Sequence, residues 1–486
     1  MNFKDYSLEE LIQKTTSGEI NSNEVFEYFL WRIEKYDSKV WVFNSINTEG
    51  LNTKNNWPLA GMPLGIKDNF CEKDILTTAA SKMLEDFKPP YNATLIEKLT
   101  QAGMSSLGKV NMDEFAMGSS TENSAVRNTI NPWGINRIPG GTSGWSAASV
   151  SAGLCPAALG TDTGWSLRQP ASMCWVVGFR PSYGRNSRYG VMPMASSFDC
   201  PGTITKTVKD AGLLYEIMNG EDKMENTTIP GKDIIDPKIW GANDLKWKKI
   251  WIPKEYFEEG LDAGVRAQIE WAIEDMRKLG AEVVEVSLPM TKYAIAAYYI
   301  IVPAEVTTNL ARLDGIRYGH NSEKPRESLD EMYLNNRWEG LGDEATRRTI
   351  LGSYVLSAGF YDAYYKKASQ IRTLIIQDFA KAFSEVDVIV SPVSPNVAWK
   401  IGEKKDDPLK MYLADAYTIP ASLAGLPGIS IPCGFATSED AEAEKLPVGL
   451  QILAPRMQEQ KLLEIANVYE KNTPWKDQMT PPGFED

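Results

Sequence analysis

Apolar and polar positions along this chain fall into two alternating rhythms. Residues 7–50 read as helical. Ser7 and Glu10 have the spacing of a capping box, and Asn21 or Ser22 can cap a second helix with Val25, Phe26, Phe29, Leu30 and Ile33 along one face. Further on, 265–279 predicts a helix stopped by Gly280, and 281–288 a strand ended by Pro289. A long helix is expected over 364–383, an apolar strand over 386–391 ended by Pro392, short buried strands at 429–432 and 448–453, and a last helix over 459–470. The one strongly polar, loop-like stretch is 220–244. Helices alternating with short apolar strands predict an α/β layered fold. Repeats and low-complexity tails are missing.

Composition narrows the function classes. A chain of 486 residues suggests about three domains as a prior only. Its net charge of −13 gives no surface that would attract nucleic acid as a whole, so any RNA would need a partner's cationic surface. Five scattered cysteines (Cys71, Cys155, Cys174, Cys200, Cys433) without a CxxC pair and a single histidine argue against a Cys/His zinc site and fit reduced cytosolic thiols. The polar, acidic start is unlike a signal peptide. The longest uncharged run, 138–161, is rich in Gly, Ser and Thr and reads as loop and helix, not as a membrane span. These features predict a cytoplasmic protein with no membrane partner.

The chemistry concentrates in one Gly/Ser/Thr-rich block, GGTSGWSAASVSAGLCPAALGTDTGWSLRQPAS (140–172), and one upstream lysine, Lys67, in GIKDN. A Ser-His-Asp hydrolase would have to use His320, and its setting (RYGHNSEK) is not built to orient an imidazole. A serine can instead be activated by an amine base. Without a motif, Lys67 would be read as the salt-bridge partner of Asp68, and a serine in such a loop as a turn or cap.

GGTSGWS (140–146), GTDTGWSLRQPA (160–171) and GIKDN (65–69) resemble the amidase signature family, whose centre reads GGSSGGS and GSDTGGSIRQPA. Ser166 lies 24 positions after Thr142, the spacing between that family's nucleophile and its bridging serine. KEYF (254–257) and the segments 298–319, 342–368 and 406–434 resemble one branch, the glutamine-hydrolysing subunits of tRNA-dependent amidotransferases. The resemblance implies a single α/β/α domain over 1–486 around a large mixed β-sheet, with N-terminal helices at about 7–50 and the signature core at about 60–215. It implies Ser166 as nucleophile, Thr142 as bridging hydroxyl with Ser143 as fallback, and Lys67 as a base held neutral by burial. Amides of Thr163, Gly164 and Trp165 would form the oxyanion hole, and Arg168 would buttress the loop. Arg348 would hold the glutamine carboxylate, with Arg347 as its competitor, Asp415 the ammonium, and Tyr299 the side of the pocket. The implied partners are the amidotransferase's B and C subunits in a heterotrimer, Glu-tRNA(Gln) and glutamine. The chain itself is implied to have no metal or cofactor of its own. ATP and Mg act at a partner subunit, and no GxxxxGK[ST] phosphate loop occurs here. A free-standing amidase on other amides and a catalytically silent scaffold are the alternatives.

Two departures stand out. Thr142 replaces the usual serine, and its methyl restricts χ1. Trp145, Trp165 and Trp175 fall where the motif has glycine, and Trp57, Trp247 and Trp251 where the branch typically has it, whereas Trp133 matches a family tryptophan. Glycine serves where φ is positive or backbones approach closely. A side chain forced into the left-handed region costs about 1–2 kcal/mol, and an indole needs roughly 150–250 Å² of surface to bury. Six substitutions of one kind point to one cause: UGA codons read as glycine in the source organism and written as tryptophan here.

Overall fold

The computed structural model describes residues 2–52, 57–257, 260–404, 407–438, 441–477 and 480–485. Eleven strands form one mixed sheet flanked by helices: β1 (Phe43–Ile46), β2 (Pro63–Lys67), β3 (Ser105–Val110), β4 (Ala157–Asp162), β5 (Val177–Arg180), β6 (Cys200–Thr205), β7 (Lys249–Pro253), β8 (Glu282–Val286), β9 (Val388–Pro392), β10 (Gly428–Ser438) and β11 (Ala441–Leu453). Their order is β1-β3-β2-β4-β6-β5-β10-β11-β9-β7-β8. β2, β3, β4, β5, β6 and β9 are buried at every position. Such strands read as continuous apolar or small-residue runs because helices cover both faces.

Local chemistry explains most boundaries. Ser7 and Glu10 close a reciprocal capping box on the Leu8–Thr16 helix. Asn21 caps Ser22–Val40, whose Val25, Phe26, Phe29 and Ile33 are buried and whose Leu30 is half-buried. The expected helix near 265–279 runs Ala263–Lys278, and Gly280 turns the chain at φ 101° into β8. The last helix is Glu459–Lys471. Apart from a short 3-10 turn at Pro237–Gly241, the stretch 220–244 forms no helix or strand.

Three expectations need correction. The helical reading of 7–50 fails at its end, where β1 pairs antiparallel with β3. The strands placed at 429–432 and 448–453 are the inner parts of β10 and β11, which pair antiparallel far beyond them. Polar residues such as Thr437 and Lys445 hid the extension, because only the inner part of that ladder is buried on both faces. The helix expected from 364 begins as a π turn at Tyr361–Tyr365 before Lys366–Ala382. The segment 406–434 begins at Asp406, outside the described residues.

Topology brings the chemistry together. β2 and β4 run parallel, with Leu64 opposite Ala157 and Gly65 opposite Ala158. Lys67 at the end of β2 therefore lies beside Thr161 and the loop leaving β4, at the carboxyl ends of neighbouring strands. Ahead of the Gly144–Ser151 helix, Gly140 and Gly141 take φ 81° and 55°. A Cβ at Gly141 would stand 2.7 Å from Pro170 Cδ and 3.2 Å from Ser166 Cα, so only glycine lets the Thr142 turn touch the serine.

Among the described residues no helix is long and apolar enough to cross a membrane.

Candidate active site

Lys67 is fully buried, and its Nζ lies 2.8 Å from Thr142 Oγ1, 2.8 Å from Ser143 Oγ and 3.0 Å from Thr161 Oγ1. It forms no salt bridge to Asp68, which instead accepts from Thr78 (Oγ1, 2.5 Å) and Asn44 Nδ2 (3.1 Å). Burial pulls the Lys67 amine down to about 7, against the opposing field of Asp113, Asp162 and Asp199. The lysine thus keeps a neutral fraction near neutral pH, as a general base requires. The two candidate relays differ. Ser143 Oγ donates to Thr161 O (3.1 Å) and accepts from Thr161 N (3.3 Å), so its proton is engaged in β4. Thr142 Oγ1 has Lys67 as its one partner among the described residues.

Ser166 is 3% exposed and sits between β4 and the Arg168–Cys174 helix. The amides of Thr163, Gly164 and Trp165, the expected oxyanion donors, and that of Ser166 donate to no acceptor among the described residues. Unpaired amides in a buried turn are the raw material of an oxyanion hole. The Thr163 hydroxyl donates to Asp199 (2.7 Å). Arg168 braces the turn, reaching Gly164 O at 2.7 Å and Asp162 at 3.0 and 3.1 Å, and Arg180 meets the same carboxylate at 3.2 Å. These guanidinium charges hold Asp162 below its ordinary range despite its burial. His320 lies elsewhere, paired with Glu339 at 3.2 Å and Glu85 at 3.5 Å.

The residues expected to hold glutamine converge beyond Ser166. Asp415, fully buried, accepts from Ser119 Oγ (2.9 Å), Gln169 Nε2 (2.9 Å) and Tyr299 Oη (3.3 Å). Burial pushes its carboxyl up to about 8, and a cationic amino group arriving beside it would reverse that shift. Arg348 is 1% exposed. Its Nε binds Glu344 at 2.7 Å, its guanidinium lies 5.5 Å from the Tyr299 ring centre, and its Nη1 is buried with no acceptor among the described residues. An orphaned buried guanidinium N–H is costly unless a ligand's anionic oxygen completes it. Its competitor Arg347 points outward, 45% exposed, onto Glu344.

Several residues here escaped the sequence reading. Gln169 joins both halves, accepting from Gly141 N (2.8 Å) while donating to Asp415. The RQPA motif contains it and could have flagged it. Ser119 and Thr161 belong to the small-hydroxyl background, which offered no signal. The Tyr298 hydroxyl is buried without a partner among the described residues, and a Cβ at Gly164 would stand 2.9 Å from it. Among the described residues no cluster of three or more His, Cys, Asp or Glu is arranged to hold a metal ion.

The tryptophans sort by backbone. Trp175 (φ 61°) and Trp247 (φ 69°) are left-handed, at about 1–2 kcal/mol each. Trp57, Trp145, Trp165 and Trp251 are not, which corrects the backbone argument for them; Trp251 is an ordinary strand residue in β7. At Trp145 and Trp165 the issue is space. Both are fully enclosed, Trp145 with its indole N–H unpaired among the described residues. The Trp165 indole donates to Gly118 O (3.2 Å) and packs 5.4 and 6.3 Å from the rings of Tyr298 and Tyr299.

A buried lysine at a strand end, an enclosed serine after a parallel neighbour, and a hydroxyl-rich turn between them form a candidate Ser-Lys hydrolase site on a mixed α/β sheet. A scan against protein families agrees: residues 24–463 match the amidase family, and the chain belongs to it. Its relatives within that family include the A subunit of the Glutamyl-tRNA(Gln) amidotransferase of Thermodesulfovibrio yellowstonii (48% identical, covering 98% of this chain and 99% of the relative) and that of Nitrosococcus oceani (46%, 98% and 99%). Among solved structures, the same subunit from Thermotoga maritima superposes with a TM-score of 0.82 at 39% identity, covering 99% of this chain and 98% of that one. A peptide amidase from Stenotrophomonas maltophilia gives 0.81 at 28% identity, covering 99% of each.

Proposed function

We propose that this chain is the glutamine-hydrolysing (A) subunit of a tRNA-dependent amidotransferase. The observation that carries the chemistry is the Lys67 amine, buried and bonded to three hydroxyls beside the turn that touches Ser166. In the reaction, Ser166 Oγ attacks the side-chain amide carbon of glutamine. Its proton passes to Thr142 Oγ1, and the Thr142 proton passes to the lone pair of Lys67 Nζ. The amides of Thr163, Gly164 and Trp165, with that of Ser166 beside them, receive the developing oxyanion, and the Thr163 hydroxyl is anchored to Asp199 at the start of the turn. Collapse breaks the C–N bond as Lys67 returns the proton through Thr142, so ammonia leaves and a γ-glutamyl ester remains on Ser166. Water, deprotonated along the same path, releases glutamate and restores the serine.

Arg348 Nη1 receives the substrate carboxylate, Asp415 its ammonium, and Tyr299 walls the pocket. What supports glutamine over a simple amide is this pairing of an unsatisfied cation with a buried carboxyl that an arriving ammonium would ionise. The ammonia would serve conversion of Glu-tRNA(Gln) to Gln-tRNA(Gln) in a cytoplasmic heterotrimer with the B and C subunits, where ATP and Mg act on a partner. The charge of −13 supports leaving tRNA contact to partners. One continuous sheet supports treating 1–486 as a single domain. Glutamine hydrolysis measured with and without the partner subunits tests the reading. It predicts activity that the partners raise; activity on uncharged amides alone would make the chain a free-standing amidase, and none in either state a scaffold.

A further inference from the structure

We propose that Trp41, Trp145, Trp165, Trp175 and Trp247 stand where the functioning protein carries glycine, and that the bare backbone at 165 is what admits glutamine. The second half rests on the glutaminase reading; the first stands without it.

Three of the eleven non-glycine residues with positive φ among the described residues are tryptophan, which supplies 14 of the 486 residues. Each occupies a position that turn geometry reserves for glycine. The Ser22–Val40 helix ends on Trp41 (φ 59°, ψ 55°), whose N–H returns to Asp37 O. The Arg168–Cys174 helix ends on Trp175 (φ 61°, ψ 46°), with the amides of Trp175 and Val176 both returning to Ala171 O. Left-handed residues closing helices in this way are usually glycine. Trp247 is the third residue of a turn closed by Lys248 N to Leu245 O at 3.0 Å, where positive φ again calls for glycine. It is 94% exposed, so no packing holds the indole there. Trp41 lies outside every signature motif, and so extends the pattern on backbone grounds alone.

Trp145 and Trp165 join the set through space. The residue before the nucleophile places its indole among Gly118, Tyr298 and Tyr299, and Tyr299 in turn bonds Asp415. Ser166, Arg348 and Asp415 are left at most 3% exposed. A cavity of about 580 Å³ reaches the far side of this loop at Asp199 and Phe115, yet Lys67, Thr142 and Ser166 do not line it. A glycine at 165 would leave the space beside Tyr298 and Tyr299 open to a substrate whose carboxylate and ammonium reach Arg348 Nη1 and Asp415. Trp133 shows the contrast. Its indole N–H donates to both Ser151 Oγ and Cys174 O at 3.1 Å, as in a site built for tryptophan. UGA is one base from the tryptophan codon UGG and one base from the glycine codon GGA. Decoding of UGA as glycine accounts for all five positions at once.

The gene's codons and the masses of peptides from the native protein decide the first half. UGA with glycine masses at the five positions, and UGG with tryptophan at Trp133, is the expected result; UGG at Trp165 or Trp175 overturns it. For the second half, the chain as written and a chain with all five changed to glycine are each assembled with the partner subunits and assayed on glutamine. The written chain should be slower by about 10²-fold or more, the scale of a misplaced reacting group. Equal rates, or failure of the glycine chain to fold, overturns the proposal. If neither chain hydrolyses glutamine, the glutaminase reading and the subsite role fall together, while the codons and masses still settle the five residues.

Discussion

On one side of Ser166, the Lys67 amine has three hydroxyl partners. On the other, Asp415 accepts three hydrogen bonds within the protein, Arg348 Nη1 has no partner among the described residues, and the Trp165 indole packs against Tyr298 and Tyr299. The difference separates two tasks. Proton transfer needs only groups the chain itself supplies, so that half is complete without substrate. Recognition needs charges left unsatisfied until a ligand arrives, so that half is stable only when empty space or a substitute occupies it.

The largest effects break the first half, and are read in the assembled complex with glycine at the five positions. Ser166→Ala should lower glutaminase activity to background while thermal stability changes little. Lys67→Arg should do nearly the same, because a guanidinium cannot give up its proton. Near-normal turnover in Lys67→Arg would show that the amine only neutralises charge. Smaller losses test the second half. Arg348→Lys or Asp415→Asn should cost about 2–5 kcal/mol in kcat/KM for glutamine while sparing a small uncharged amide. Equal losses on both substrates would make these residues structural.

The pH profile sharpens the contrast. Lys67 must be neutral and its amine is lowered to about 7; Asp415 must be ionised and its carboxyl is raised to about 8. Both lose competence as pH falls, so kcat/KM for glutamine should drop with first-order steepness below about pH 8 and approach second-order steepness below about pH 7. The kcat profile should keep only the Lys67 limb, since bound glutamine's ammonium ionises Asp415. Asp415→Asn should reduce the kcat/KM limb to a single ionisation near 7. A profile unchanged by that substitution contradicts the pairing of Asp415 with the substrate ammonium.

The smallest predicted effect lies farther from the nucleophile. Glu114 accepts from Ser81 Oγ (2.5 Å) and from Gly342 N (2.8 Å), the residue capping the Asp343–Leu356 helix that carries Arg348. Glu114→Ala removes both bonds, and with them the tie between Ser81 and the start of that helix. It should raise KM for glutamine with little change in kcat, and Glu114→Gln should restore it. A fall in kcat alone, with KM constant, would contradict this positioning role.

The proton-moving half was legible in the sequence because its residues sit in compact motifs whose spacing maps directly onto neighbouring parallel strands: GIKDN ends β2, and the nucleophile loop leaves β4. The substrate half depends on residues far apart in the chain, 119, 169, 299, 348 and 415, which meet only through the sheet order. Gln169, Ser119 and Tyr298 therefore escaped notice. Outside the site, β1 and the outer parts of β10 and β11 were missed because their exposed positions carry polar residues that weaken the alternating pattern. Trp41 was missed for a different reason: nothing in its local sequence marks a left-handed helix end when the expected glycine is missing.

The proposed mechanism requires glutamine to be opened by a covalent bond to Ser166. The most direct test is peptide mass mapping of the assembled complex after quenching during glutamine turnover or after reaction with an electrophilic glutamine analogue. A γ-glutamyl or analogue adduct is predicted on the peptide bearing Ser166, abolished in Ser166→Ala and strongly reduced in Lys67→Arg. An adduct on Thr142, Ser143 or a cysteine, or one that persists in Ser166→Ala, would contradict it.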